Sequence, residues 1–487
     1  MAGISERPNA FFRLSPAESG KAQCFAVNRG GITGRWDTAF NDPGLWKGLA
    51  TQLPMLAVSE LISASFSGGT PSTSEPDNWN GQIPWVSPKD FGEFEIADTI
   101  DHLSEAGIKA ASLNLAETDS VLMVVRSGIL RHTLPVAINT RPVAVNQDVK
   151  VFMLRPDCKP RYFAWYLWCF QKRILPLITK HSTTVQSVNT SEFSDLKIPL
   201  PSTVQQEKLI AAMEAARAER RAKLAEADAL LAGLDDYLLA TLGLTPPPKD
   251  ERKIFGVQLC SLGKRVDPYS SQPRFRKLFA HIRASKYRVA TFRELAIRIF
   301  SGVTPLAKGD AYVPPPEGVR FIRSGEITAD GEVTPTSEVH LSATIHNGMM
   351  KRSQIESGDL LIAIVGATIG ATGVFNRDEP ANINQAIAAV RLTGDGISPE
   401  FACLYLRSSI GQALLDYFKR PVARANINLE EIGEIPLVIP PSDVQEKIVV
   451  ESHRRRDEAR RLRAEAEAGW EAAKRWFEEQ LLGPMRT

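Results

Sequence analysis

Lys197-Ile-Pro-Leu-Pro-Ser-Thr-Val-Gln-Gln-Glu-Lys-Leu209 opens a long polar–apolar run that stops only at Gly243, with prolines at 246–248. Ser202 with Gln205 and Thr203 with Gln206 both have capping-box spacing, so the run reads as a helix from Thr203 to Leu242. Ile210, Met213, Arg217, Arg220, Leu224, Ala227, Leu231, Leu234 and Leu238 alternate by three and four. That is the period of a coiled-coil seam, basic in its middle and apolar toward its end. At about 1.5 Å per residue the helix is a rod of ~60 Å. A rod of that length joins bodies; it does not fill a core.

The same text returns as Ile435-Pro-Leu-Val-Ile-Pro-Pro-Ser-Asp-Val-Gln-Glu-Lys-Ile448, opening a second charged helix that runs to about Leu482 and stops at Gly483-Pro484. Here Ser442/Gln445 and Asp443/Glu446 have the box spacing. Working outward, further segments pair in one order. Gly34–Thr38 matches Lys264–Pro268, Pro43 matches Pro273, and Ser67-Gly-Gly-Thr-Pro71 matches Ser301-Gly-Val-Thr-Pro305. Ile83–Lys89 lies over Val319–Gly325, Asp119–Gly128 over Gly358–Gly366, and Val145-Asn-Gln147 with its apolar run over Ile383-Asn-Gln385 with its own. The runs ended by glycine read as buried strands entering loops. Aromatic helices then follow at Tyr162–Ile174 and Glu400–Leu415, and polar segments at Thr183–Ser194 and Val422–Asn428 lead back to the proline-bounded rods. Each partner lies roughly 230 to 240 residues after the first, far beyond a solenoid period of ~20–50. The chain is a duplicated α/β module with pseudo-twofold symmetry, the usual arrangement for gripping two half-sites on DNA.

Composition bounds the function. Across 487 residues Lys plus Arg exceed Asp plus Glu by only two, so any nucleic-acid footprint is local. One basic run, Lys264 to Arg298, qualifies, although a solvated face reads the same way. Cys24, Cys158, Cys169, Cys260 and Cys403 show no metal-ligand spacing, which points to free thiols in a reducing cytoplasm. No apolar run approaches the ~20 residues of a membrane span, and the N-terminus has no signal-peptide core. Gly366-Ala-Thr-Ile-Gly370 lacks the Gly-Lys-Ser/Thr ending of a phosphate loop and reads as a tight turn. Asp359 and Glu379 flank an apolar strand without a following Glu-x-Lys, so a nuclease centre is not indicated. His340 and His346 read as surface residues, with no metal expected, and the Asn/Asp-Pro-Pro-aromatic text of an amino-methyltransferase is absent.

Two variable α/β segments, each closed by Ile-Pro-Leu text, a Gln-Glu-Lys and a long helix, resemble the specificity subunit of type I restriction-modification systems. The likeness runs from about residue 34, carried above all by Lys197–Leu209 and Glu434–Ile448. It implies an N-terminal arm (1–33), a first target recognition domain (34–198), a central helix (199–245), a linker (246–263), a second recognition domain (264–437) and a C-terminal helix (438–487). The two helices would lie antiparallel as a coiled coil, a ruler for a split, asymmetric site in double-stranded DNA. The resemblance further implies docking of two adenine-N6 methyltransferase subunits carrying S-adenosylmethionine, joined by motor-nuclease subunits using ATP and Mg. The chain itself would hold no cofactor and catalyse nothing. In the second helix Ser452, Arg456 and Arg463 stand where the first has Met213, Arg217 and Leu224. Its apolar content comes late, at Trp470, Ala473, Trp476 and Phe477, which antiparallel pairing would bring to the start of the other helix.

Phosphates call for Lys and Arg, and base edges for Arg, Asn, Gln, Ser or Thr, best presented on loops of a rigid frame. In the first module the candidates are Ser67, Thr70, Lys89, Arg126, Arg131, His132 and Gln186. In the second they are Ser301, Thr304, Arg323, Lys351, Arg352, Thr368, Arg420, Arg424 and Asn426. Asn146/Gln147 and Asn384/Gln385 recur in both halves, which suits framework and not discrimination. A duplicated protein-interaction scaffold that does not read DNA is the rival reading; salt-sensitive DNA binding separates the two.

Overall fold

The computed structural model describes residues 12–13, 25–26, 51–180, 186–245, 254–257, 267–306, 310–328, 330–334, 339–394, 396–419 and 426–483. Most of the proposed arm, most of the match of 34–38 to 264–268, and most of the linker fall outside them. The central helix spans Thr203–Leu242 and the distal helix Ser442–Leu482. The chain divides into two compact units, Met1–Lys223 with Ala464–Thr487, and Leu224–Arg463. Each unit holds one module together with part of both long helices.

In the first unit the main sheet contains β1 (Ile62–Ser67), β3 (Glu95–Ile96), β4 (Val121–Val124), β5 (Val136–Asn139) and β7 (Val149–Leu154), in the order β1-β7-β4-β5-β3. Its pairs are antiparallel except β5 with β3. Strands β4 and β5 are buried throughout, as continuous Val/Leu/Ile runs require. A smaller sheet pairs β2 (Trp79–Val86) in parallel with β6 (Ala144–Val145). Helix α1 (Pro160–Ile178) starts on a proline, which loses no helical hydrogen bond at that position. Its aromatic side chains fill one face of the main sheet, Trp165 stacking on Phe94 with ring centroids 3.6 Å apart.

Leu209 and Met213 of the central helix and Phe477 and Leu481 of the distal helix join this core. Arg220 pairs with Glu467 at 3.3 Å and Lys223 with Glu465 at 3.4 Å, so the helix segments run antiparallel here. The aromatic end of the distal helix thus meets the start of the central one.

The second unit repeats the plan. Strands β8 (Ala296–Ser301), β10 (Asp359–Ala363), β11 (Thr372–Phe375) and β13 (Ile387–Leu392) form a sheet ordered β8-β13-β10-β11. A smaller sheet pairs β9 (Val319–Ile322) in parallel with β12 (Ala381–Ile383). Helix α2 (Pro273–Arg283) buries Phe275, Leu278 and Ile282 and leaves Arg276, Lys277 and Arg283 outside, so much of the basic run is the solvated face of a packed helix. The second aromatic helix is not continuous: α3 (Pro399–Arg407) and α4 (Ser409–Phe418) are separated at Ser408. Ser408 is extended there and its hydroxyl caps the Gly411 N–H. A Cβ at Gly411 would stand 2.2 Å from the Tyr405 carbonyl oxygen, so the tight break needs glycine.

Ala227 packs with Ala459 and Leu462, while Leu230 and Leu231 lean on the same cluster. All nine predicted seam positions of the central helix are buried or half-buried, Leu224 and Leu234 among the half-buried ones. The distal seam corrects the expectation: Ile448, Ser452, Ala459, Leu462 and Ala466 are buried, and Arg463 is exposed and pairs outward with Asp228. A one-residue shift replaces an arginine by a leucine, so the seam is apolar where a polar break was expected.

Gln206 and Gln445 do not form capping boxes. Gln206 is fully buried, its amide donating to the Pro201 and Asp157 carbonyls while its oxygen accepts from Lys159 N–H at 2.8 Å. Gln445 repeats this with Pro440, Gly396 and Ser398. Each glutamine ties a helix start to the loop before α1 or α3, and satisfies three buried backbone groups that would otherwise be costly.

Candidate nucleic-acid interface

The antiparallel register brings three connections to one edge of each main sheet. In the first unit Ser67 lies opposite Lys150, Lys150 opposite Met123, and Met123 opposite Val136. Residues 67–71, 125–135 and 145–148 therefore leave the same edge. In the second, Ser301 faces Ala388, Ala388 faces Ile362, and Ile362 faces Thr372, which gathers 302–306, 364–371 and 384–386.

One lock holds both edges. Gly68 and Gly302 pass so close to the neighbouring chain that a Cβ would stand 1.7 Å from the Val145 or Ile383 carbonyl oxygen. Asn146 N–H donates to Val86 and Asn384 N–H to Ile322, while each Asn side-chain oxygen accepts the N–H two residues on. Thr70 donates to Gln147 at 2.7 Å, and Thr304 donates to Gln385. Thr70 and Thr304 are exposed yet already engaged with the recurring Asn-Gln text, which makes them part of the frame.

Around this lock Ser67, Lys89, Arg126, Arg131 and His132 are exposed in the first unit. Lys89 sits in the short 3-10 turn that follows β2, and Arg131 ends another after β4. Gln186 is different. It is 5% exposed, and its carbonyl accepts from Ser127 N–H, so it braces the loop from within and does not face outward. In the second unit Arg323, Lys351, Arg352 and Asn426 are exposed and Ser301 and Thr368 half-exposed. Asn426 bridges Val365 as Ser187 bridges Arg126, so the polar returning segment closes on the same edge in both units. Arg420 and Arg424 lie outside the described residues.

The chemistry elsewhere is structural. Asp359 is buried and binds Arg391 through both oxygens, at 2.9 and 2.8 Å; these bonds hold the guanidinium pKa above its ordinary value. Glu379 pairs with Arg377 at 3.0 Å. Gly366 and Gly370 have φ of 87° and 92°, the tight turn expected after β10. His340 contacts the Glu317 carbonyl, and His346, half-buried, lies 2.6 Å from Asn382 and 3.1 Å from Gln354; it belongs to an internal polar network and not to the surface. Burial raises the Cys158 thiol to about 12 and Cys403 to about 11, and pushes Cys169 up as well. Thiolates at those positions are suppressed. Among the described residues no group of three His, Cys, Asp or Glu side chains could hold a metal ion, and no helix is long and apolar enough to cross a membrane.

Sequence reasoning missed a charge network in the first unit. Glu95 accepts from Arg161 and Arg217, both at 2.8 Å, and Glu214 also pairs with Arg161 at 2.8 Å. Partial burial alone would raise the Glu95 pKa, but the hydrogen bonds and charges of Arg217 and Arg161 outweigh it and hold the carboxyl below its ordinary value. An arginine on a coiled-coil seam was the available signal.

A duplicated α/β module with polar loops on one sheet edge, each copy closed by a long helix, is the architecture in which the comparisons place this chain. More particularly, residues 56–221 and 317–450 match the type I restriction modification DNA specificity domain, over more than half of the chain, and the chain belongs to that family. The specificity subunit of the Escherichia coli type I restriction enzyme EcoR124I/EcoR124II is 31% identical over 150 residues, 31% of this chain and 37% of that one. That of MjaIX from Methanocaldococcus jannaschii is 25% identical over 181 residues, 36% and 40% of the two chains. The matched stretches thus span well under half of these relatives. A solved chain from a study of complex assembly and conformational transition in the type I R-M system superposes with a TM-score of 0.54 at 16% identity, covering 88% of this chain and 97% of the other. At that identity the likeness speaks for the fold.

Proposed function

We propose that this chain is the non-catalytic DNA-reading subunit of a type I restriction-modification assembly. Each module reads one half of a split, asymmetric duplex sequence. The antiparallel helices set the spacing of the halves and dock two adenine-N6 methyltransferase subunits, which carry S-adenosylmethionine. Motor-nuclease subunits using ATP and Mg join these, in the cytoplasm. The observation that carries the reading is the shared construction of the two sheet edges, on which exposed cationic and amide side chains surround one backbone lock.

Lys89, Arg126, Arg131, Lys351 and Arg352 suit phosphate contacts, which position the duplex. Arg323, Asn426, Ser67, Ser301, Thr368 and His132 suit contacts to base edges, because their side chains carry the donors and acceptors that such edges pair with. Arg420 and Arg424 remain proposed contacts. Thr70 and Thr304 hold the loops in shape, and Gln186 supports Arg126 from beneath.

The test is adenine-methylation mapping in cells that carry this chain with an adenine-N6 methyltransferase, compared with cells lacking only this chain. A split motif modified only in its presence is expected, and the spacer reports the ruler. Identical methylation without the chain would discard DNA reading and leave the interaction-scaffold alternative.

A further inference from the structure

On the face of the first unit's main sheet that α1 covers, a hollow of about 220 Å³ opens between β1, β4, β7 and the short helix Thr190–Asp195. Its hydrocarbon walls include Ile62, Met123, Phe152 and Phe193, with the two phenylalanine rings tilted 5.5 Å apart. The polar lining is Lys150 with the hydroxyls of Ser59, Ser65, Thr190 and Ser194. No aspartate or glutamate is among the lining residues. Lys150 is half-buried, and neither its amine nor those hydroxyls make a hydrogen bond or ion pair with any described residue.

The second unit closes the same place with hydrocarbon. Ala388 stands between Ser301 and Ile362 as Lys150 stands between Ser67 and Met123, and Ile299 faces Val390 as Ser65 faces Phe152. Counted from the N-caps Asn189 and Asn428, Leu429 replaces Thr190 and Gly433 replaces Ser194. Ile299 Cδ1 lies 3.5 Å from the Cβ position of Gly433, and Ile299 and Leu429 pack against that unit's core. Where one copy has four apolar or small residues, the other has an ammonium and three hydroxyls. The frame does not demand the exchange, because the closed version is built on the same register. Partly desolvating an ammonium without an acceptor is unfavourable, so an open, amine-lined hollow suits an occupant that brings a negative charge.

We infer that the first unit binds a small carboxylate with a compact apolar body in this hollow. Lys150 pairs with the carboxylate, the neighbouring hydroxyls donate to its oxygens, and the body lies against Met123, Phe152 and Phe193. One cation with neutral donors matches a monoanion, and apolar walls with a few polar groups are the usual make-up of a small-molecule site. An apolar cavity of about 150 Å³ holds a benzene ring, so this hollow has room for a ring and its carboxylate. The site does not depend on the chain reading DNA, although Lys150 lies in the row from which the recognition loops leave.

The test titrates benzoate into the full chain by calorimetry, with acetate and inorganic phosphate at equal ionic strength as comparators. One saturable benzoate site is expected, at least tenfold tighter than either comparator. Lys150→Gln should weaken benzoate at least tenfold. Ser65→Ile places the second unit's residue on an exposed edge strand; it should fill the hollow and abolish binding, with the urea midpoint unchanged. A duplex DNA salt series on Lys150→Gln tests the other use of the lysine. A salt slope lowered by about one, with no benzoate-specific heat in the parent, assigns Lys150 to a backbone phosphate and overturns the site. Benzoate binding that survives both substitutions, or that phosphate equals, overturns it as well. A chain that binds no duplex leaves the benzoate titration just as decisive.

Discussion

The joints between module and long helices are built differently in the two units. In the first, Phe94, Trp165, Trp168 and Trp470 make a cluster of edge and stacked contacts, and Arg217 at its border is paired with Glu95. In the second, Leu404 and Arg407 stand where those α1 tryptophans would be, and Arg456 faces a hollow. The backbone devices are nevertheless the same: Gly68 and Gly302, Asn146 and Asn384, Gln206 and Gln445. Duplication has kept what main-chain geometry demands and released what side-chain chemistry decides. Residues that recur describe the frame; residues that diverge are where the two halves do different things.

The frame is the place to break first. A Cβ at Gly68 or Gly302 cannot be absorbed by a side-chain shift, because the atom it meets is a carbonyl oxygen of the adjoining chain. Gly68→Ala and Gly302→Ala should each cost about 3 kcal/mol or more. All eight tryptophans belong to the first unit, so fluorescence during urea unfolding reads that unit alone, while hydrogen exchange reads both. Gly68→Ala should lower the fluorescence midpoint, and Gly302→Ala should raise exchange along β8 and β12. A parent-like fluorescence midpoint in Gly68→Ala would remove the lock.

The joint is the place to sharpen the contrast. Glu95→Gln strips one carboxylate from two guanidiniums, one of them 11% exposed, and should cost about 2 kcal/mol. Glu332→Gln loosens a pair exposed on both sides and should cost about 0.5 kcal/mol or less. The Glu95 carboxyl has its pKa below the ordinary 4.5, so its contribution is present above that value and fades as the pH falls through the depressed one. The parent's acid limb, followed by fluorescence, should therefore be steeper than that of Glu95→Gln. Parallel acid limbs would show that the carboxyl is not stabilised by the fold.

How much of this was legible beforehand follows the same division. The helix bounds, the order of the copies and the glycine-threonine turns were readable because caps, periods and turn chemistry are local. The seam of the distal helix was misplaced by one residue, since Leu462 and Arg463 are adjacent and only the opposing Ala227 decides which faces in. The break at Ser408 was hidden because Ser-Ser-Ile-Gly interrupts no hydrophobic period. Gln206 looked like a cap because its buried partners, Asp157 and Lys159, lie some fifty residues away in sequence. Gln186 looked like a reader because an amide side chain does not announce its own burial. Which exposed side chain meets which base was never a local property.

The smallest effect discriminates most finely. The long helices contain two interior glycines, each giving up about 1 kcal/mol of helix propensity relative to alanine. Gly469, in the first unit, has nothing within 4 Å of its Cβ position, and Gly469→Ala should recover about 0.5–1 kcal/mol. Gly233, in the second, is crossed by Arg455, which donates to the Gly233 carbonyl at 2.8 Å and stacks 5.0 Å from the Tyr237 ring centre. A Cβ there would stand 3.1 Å from the guanidinium, so the helical gain is set against a displaced charge-assisted hydrogen bond of similar size. Gly233→Ala should leave the thermal midpoint, read by far-ultraviolet circular dichroism, close to the parent's. In an Arg455→Ala background the same substitution should stabilise as Gly469→Ala does, because nothing then competes for the space. If Gly233→Ala stabilises equally with Arg455 intact, the arginine is not what keeps a glycine in the middle of that helix.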